Sequence, residues 1–210
     1  FMISRIIMTD QDVAEGAKWL ANLEPRFHHA LSLTGPLPLR RRPGGFDNLL
    51  NAIIGQQVSI ASANAIWARM EVARMTHRDN VAKATEDDLR ACGLSRQKIQ
   101  YARALAHSGV DYDALVTLPD REVIETLIKI KGIGRWTAEV YTMCSLGRAD
   151  VFAPGDLALQ EAAKVLFDLP ARPTDKALRA MALDWSPWQA VAARILWAYY
   201  RVAKDREGII

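Results

Sequence analysis

The stretch Leu127-Ile-Lys-Ile-Lys-Gly-Ile-Gly-Arg-Trp-Thr-Ala138 joins two helical patterns through a Gly-Ile-Gly turn. Gly132 and Gly134 can take φ > 0 at little steric cost, so the chain can reverse sharply there. Leu127, Ile130 and Ile133 supply apolar anchors on one side of the reversal. The N–H groups of such a turn, backed by the positive end of a helix starting near Arg135, form a small anion site suited to a phosphate oxygen. Thr137 offers a hydroxyl to the same end and Arg135 a charge. A bare G-x-G between helices is more often a glycine-capped corner with no ligand. The downstream stretch Val151-Phe-Ala-Pro-Gly-Asp156 argues for more, because it sets a carboxylate after a Pro-Gly turn at the start of another helix.

Working outward, helical patterning covers nearly the whole chain. Two amphipathic pieces over about 10–33 are broken at Pro25, and a Pro/Gly-rich connector follows with Pro36, Pro38, Pro43, Gly44 and Gly45. Three- and four-residue apolar spacing predicts helices over 46–54 and 59–75. Thr85 and Ser95 read as N-caps, and Pro119 as a residue at the first position of the helix entering the turn. Later helices are expected near 135–145, 157–167, 174–183 and 187–203. No segment alternates with a period of two, so strands should be few or absent.

Composition narrows the classes. The 210 residues are half hydrophobic, which excludes global disorder, and suffice for one sizeable core or two small helical lobes. A net charge of +3 permits nucleic-acid binding without requiring it. Cys92 and Cys144 form no C-x-x-C pair, so a reduced intracellular setting is expected. Two cysteines cannot hold a four-cysteine iron–sulfur cluster, and His28, His29, His77 and His107 lack zinc-ligand spacing. No apolar run is long enough to span a membrane.

Together, Ile53-Ile-Gly-Gln-Gln-Val-Ser59, Gly132-Ile-Gly-Arg-Trp-Thr-Ala138, Val151-Phe-Ala-Pro-Gly-Asp156 and Pro187-Trp188 resemble the helix-hairpin-helix/Gly-Pro-Asp DNA glycosylases. Within them the chain is most similar to the AlkA-type 3-methyladenine DNA glycosylases, from about Leu37 to Tyr200. The resemblance implies an all-α, two-lobed fold with the active site in a cleft between lobes. One lobe, 46–146, would carry the hairpin; 1–45 and 147–210 would build the other. At 210 residues the chain is too short for the extra N-terminal β domain of the well-known longer member. The implied partner is duplex DNA with a damaged base, bound by a monomer. The implied setting is the bacterial cytoplasm and nucleoid, or the nucleus if eukaryotic.

Asp156 is the catalytic residue that the resemblance implies. It also reads as a helix N-cap, and the two roles are compatible, because backbone N–H groups and a helix N-terminus stabilise an anion. Cleaving an N-glycosidic bond builds oxocarbenium character on the sugar, which a carboxylate offsets. Where strand-cleaving relatives carry a Schiff-base lysine, this chain has Trp136, and an indole is no nucleophile. Lys129 and Lys131 precede the turn. A monofunctional, hydrolytic glycosylase is therefore expected. Trp136 and Trp197 are the expected walls of the base pocket, with Tyr141 and Phe152 as weaker candidates. An indole face attracts a cationic alkylated purine. Aromatic residues on apolar helix faces are more often core, and Trp188 is assigned there. A pocket tyrosine of the well-known relative falls at Val140, which narrows the aromatic surface.

Flipping a base from the duplex leaves a gap. Gln57, or its neighbour Gln56, matches the family's minor-groove wedge, where the well-known member has leucine. Gly132, Ile133, Gly134, Arg135 and Thr137 are the expected phosphate contacts. The family's hairpin often holds a structural Na+ or K+ on backbone carbonyls that match Ile128, Ile130 and Ile133, and no cofactor is expected for catalysis. Arg40-Arg-Arg42 reads as a solvated loop or as intramolecular salt bridges, outside the site. The expected substrates are alkylated purines of the 3-methyladenine and 7-methylguanine type. The alternatives are another damaged base on the same fold and a non-catalytic DNA-binding module.

Overall fold

The computed structural model describes residues 3–206, which are helical apart from turns, connecting loops and, among these residues, one isolated antiparallel bridge, Ile6 to Arg148. The chain is all-α, as expected. It divides into two compact units, one of residues 1–41 and 142–210 and the other of residues 42–141.

The first unit opens with α1 (Asp10–Leu23) and α2 (Pro25–Thr34). Thr9 and Asp12 close a reciprocal capping box at the start of α1. Pro25 separates the two helices as expected and begins α2, where its missing N–H costs nothing at the first position. After the second unit the chain returns through α11 (Leu157–Leu166), α12 (Asp175–Ala182), a short 3-10 turn (Leu183–Trp185) and α13 (Gln189–Arg206). α13 packs against α11, α2 and α1. Gly16 permits the approach of α1, since a Cβ there would stand 2.6 Å from the Trp188 ring and 2.7 Å from Val191. Phe27, Phe167, Phe152 and Trp185 form an aromatic core with ring centroids 5.2–5.7 Å apart.

The second unit holds α3 (Phe46–Gly55), α4 (Ile60–Val72), α5 (Arg78–Lys83), α6 (Glu86–Ala91), α7 (Arg96–Ala106), α8 (Tyr112–Leu115) and α9 (Asp120–Leu127). It also holds most of α10 (Arg135–Cys144). Phe46, Leu49, Leu50, Ile53 and Ile54 recur at helical spacing and are buried, and α3 packs on α4 and α7. Thr85 and Ser95 cap α6 and α7 as expected. Pro119 is the N-cap of α9, one residue earlier than its expected place. α5 and α8 had no sequence signal; at six and four residues they are too short to display a period.

Candidate nucleic-acid interface and catalytic carboxylate

The chain reverses between α9 and α10 one residue earlier than the glycine spacing suggested. Ile133 N donates to Ile130 O at 3.0 Å, closing a four-residue turn around Lys131 and Gly132. Gly132 has φ +96°, the left-handed value that the third residue of a type II turn requires. A Cβ there would also lie 2.4 Å from the Tyr101 ring. Gly134 does not share this constraint. Its φ is not positive, and a Cβ there would meet nothing within 4 Å. Its carbonyl accepts from Ala138 N at 3.0 Å, the first bond of α10. α10 thus begins at Arg135, and a helix start directs its first N–H groups outward along the axis.

Thr137, in the first turn of α10, is only 7% exposed. Arg135 turns back along α10, with its Nη1 3.7 Å from Oε1 of buried Glu139, which commits part of its charge. Glu139 had no place in the sequence reading, and a lone acidic residue in a helical pattern carries no signal of burial. Lys131 Nζ donates to Gln100 Oε1 at 3.3 Å.

The corner between α3 and α4 is tied to this turn. Gln56 Nε2 donates to Gly132 O at 3.0 Å, and Lys98 Nζ donates to Ile54 O at 2.5 Å. Burial pushes the Lys98 ammonium down from its ordinary pKa. Gln56 is thus occupied within its unit and positions the turn. Gln57 is the exposed member of the pair, held at φ +56°. That is a left-handed conformation unusual for a residue with a Cβ, and such strain clusters at functional sites. Val58 and Ile60 beside it are exposed apolar side chains.

The aromatic candidates separate by burial. Trp136 stands in the first turn of α10 and is 46% exposed, unusual for an indole. Tyr141 and Phe152 are core residues instead of open ring faces. The Tyr141 hydroxyl accepts from Gly45 N at 2.8 Å, and burial raises its pKa; Phe152 packs edge-on against Trp185. Trp188 is buried in the core.

Asp156 caps α11. Its Oδ1 accepts from Ala158 N at 3.0 Å, Leu159 N at 3.1 Å and Trp197 Nε1 at 3.3 Å. The turn before it is fixed by Asp156 N donating to Ala153 O at 3.0 Å and by Gln160 Nε2 donating to Pro154 O at 2.7 Å. Trp197 therefore holds the carboxylate with its N–H. One of its ring faces is covered by the Arg40 guanidinium, 5.0 Å from the ring centroid. Of the two readings of this charge run, Arg40 and Arg41 follow the one with partners inside the chain, though these are a ring and a carbonyl instead of carboxylates. Arg41 Nη1 donates to Ser145 O at 2.8 Å, while Arg42 is exposed. Their sequence resembles any surface charge run, and only the fold distinguishes them.

Neither cysteine is in a disulfide, and among the described residues no group of His, Cys, Asp and Glu side chains could hold a metal ion. Among them, no helix is long and apolar enough to cross a membrane.

Comparison with known proteins gives these features a family. The sequence profile of the HhH-GPD superfamily base excision DNA repair proteins matches residues 50–187. The chain is 25% identical over 201 residues to the alkylbase DNA glycosidase-like protein mag2 of Schizosaccharomyces pombe, covering 90% of this chain and 94% of that protein. It superposes on a DNA-3-methyladenine glycosidase of Bacillus halodurans with TM-score 0.80 and 33% identity, covering 88% of each chain. It also superposes on the S. pombe 3-methyladenine DNA glycosylase Mag1, solved with abasic DNA, with TM-score 0.74 and 27% identity over 87% of this chain and 95% of that one. With its profile matched across both stretches read above, the chain belongs to the HhH-GPD superfamily of base excision DNA repair proteins.

Proposed function

We propose that this chain is a DNA-3-methyladenine glycosylase that hydrolyses the N-glycosidic bond of alkylated purines in duplex DNA and leaves an abasic site. The observation that carries the reading is the carboxylate of Asp156, fixed by two backbone N–H groups and one indole N–H. Preorganised groups of this kind stabilise developing charge without reorganising during the reaction. A carboxylate about 4 Å from an oxocarbenium centre, at an effective dielectric of about 20, attracts it by roughly 4 kcal/mol before other costs. The same carboxylate can orient the attacking water. The relatives named for 3-methyladenine support the substrate class.

The hairpin N–H groups bind a phosphate, Gln57 enters the gap left by the flipped base, and Trp136 offers an exposed indole face to the base. An alkylated purine carries a positive charge, so the indole attracts it by about 0.5–2 kcal/mol, and its glycosidic bond is already weakened. With Trp136 where a nucleophilic amine would be needed, water completes the reaction and the strand stays intact. The carbonyls of Ile128, Ile130 and Ile133 suit a Na+ or K+ ion, a hard cation that takes neutral oxygens. Ile130 O also accepts from Ile133 N, and the end of α9 leaves nearby carbonyls without intrahelical donors. Such an ion would stiffen the turn and take no part in bond cleavage.

Incubation with duplexes carrying 3-methyladenine, 7-methylguanine, hypoxanthine or 8-oxoguanine tests the proposal. Release of the methylated bases without strand scission or borohydride-trapped adducts is expected. Release confined to hypoxanthine or 8-oxoguanine would move the activity to another lesion, and trapping would overturn the hydrolytic reading.

A further inference from the structure

α13 and the loop before the second unit meet at the support of the catalytic carboxylate. Arg194 lies three residues before Trp197 on α13, and it is fully buried. Its Nε and Nη2 donate to Leu39 O at 3.0 and 2.8 Å, and its Nη1 donates to Ala190 O at 2.7 Å. Burial brings its pKa down to about 10; Cys144 raises it, and Arg40 and Arg41 add to the lowering. An arginine held this way is a two-pronged clamp on one carbonyl, a geometry that lysine cannot reproduce. The clamp fixes the peptide leading into Arg40, whose φ of +53° is left-handed. From there the guanidinium lies over the Trp197 ring, and the N–H of that ring donates to Asp156 Oδ1.

We infer that Arg40 is a positioning residue for the catalytic carboxylate, acting through the Trp197 indole, with Arg194 setting the backbone that delivers it. A cation over the ring draws electron density toward that face and makes the indole N–H a stronger donor. It also pins the ring against rotation, so the N–H stays directed at Oδ1. Trp197 then serves the hydrolytic step by orientation, and its covered face is closed to a stacked base. This inference rests on Asp156 being the catalytic group.

Two measurements on the intact chain test it. In 1H–15N spectra of the free protein, the Trp197 indole N–H resonance, assigned with Trp197→Phe, should move on Arg40→Gln and return toward its original position in Arg40→Lys. This readout needs no activity, so it stands even if the wild type releases no methylated base, an outcome that would count against the proposed substrate alone. In single-turnover assays at saturating enzyme, Arg40→Gln should slow release on the order of tenfold, with Arg40→Lys largely restoring it. The double variant Arg40→Gln/Trp197→Phe should be no slower than the slower single variant, because both act on one bond. An unmoved indole resonance would overturn the inference, as would multiplicative rate losses in the double variant. So would a defect confined to DNA affinity and its salt dependence, which would make Arg40 a phosphate contact.

Discussion

Gly132 and Gly134 stand two residues apart in one turn and obey different constraints. Gly132 is required by its own protein, through φ +96° and the Tyr101 ring packed where a Cβ would be. Gly134 is unconstrained by its neighbours, with open space where a Cβ would stand. Gly132→Ala should lower stability by about 1–2 kcal/mol or more in urea unfolding. Gly134→Ala should unfold like the wild type yet bind duplex DNA more weakly. Equal stability losses in both would contradict this division. Gln57 is a second such residue. Its left-handed backbone costs about 1–2 kcal/mol that glycine would not incur. Gln57→Gly should therefore match or exceed wild-type thermal stability while slowing base release. A variant both less stable and fully active would show that the side chain serves the fold and not the DNA.

At the scale of elements, the clearest electrostatic dependence lies at the start of α1. The carboxylate of Asp12 accepts from Met8 N, from the Arg5 guanidinium, and from the hydroxyl and N–H of Thr9. These bonds, led by that from Met8, hold its pKa well below the usual carboxylate range. A depressed folded-state value means the stabilisation is complete above the unfolded value near 3.8 and is lost as pH falls through the folded one. The melting temperature of Asp12→Asn should thus lie below wild type at neutral pH, and the gap should close below about pH 4. A gap unchanged by acid would show that lost packing, not charge, explains the variant. Such local features were legible in the sequence: the caps at Thr85, Ser95 and Asp156 are side chains acting on the backbone two or three residues ahead. Contacts across the chain were not. The Gln56 bond to Gly132 spans 76 residues and the Arg194 bond to Leu39 spans 155. Which aromatic stays exposed is also a tertiary outcome: Trp136 and Tyr141 lie on the same helix with opposite burial.

For the molecule as a whole, the family could be read from four short motifs in order because each encodes a local backbone shape, and the profile match across residues 50–187 agrees. The proposed activity rests on finer matters: the Asp156 carboxylate held by three donors, the exposed Trp136 indole, and the turn before α10. Of these, the carboxylate is the part that a binding-only protein would not need. The decisive measurement is single-turnover base release from duplex DNA containing methylated purines, comparing wild type with Asp156→Asn alongside DNA affinity. Release by the wild type with an intact strand is expected. Asp156→Asn should lose about a hundredfold or more in rate, with affinity little changed. Near-normal release by Asp156→Asn would contradict it.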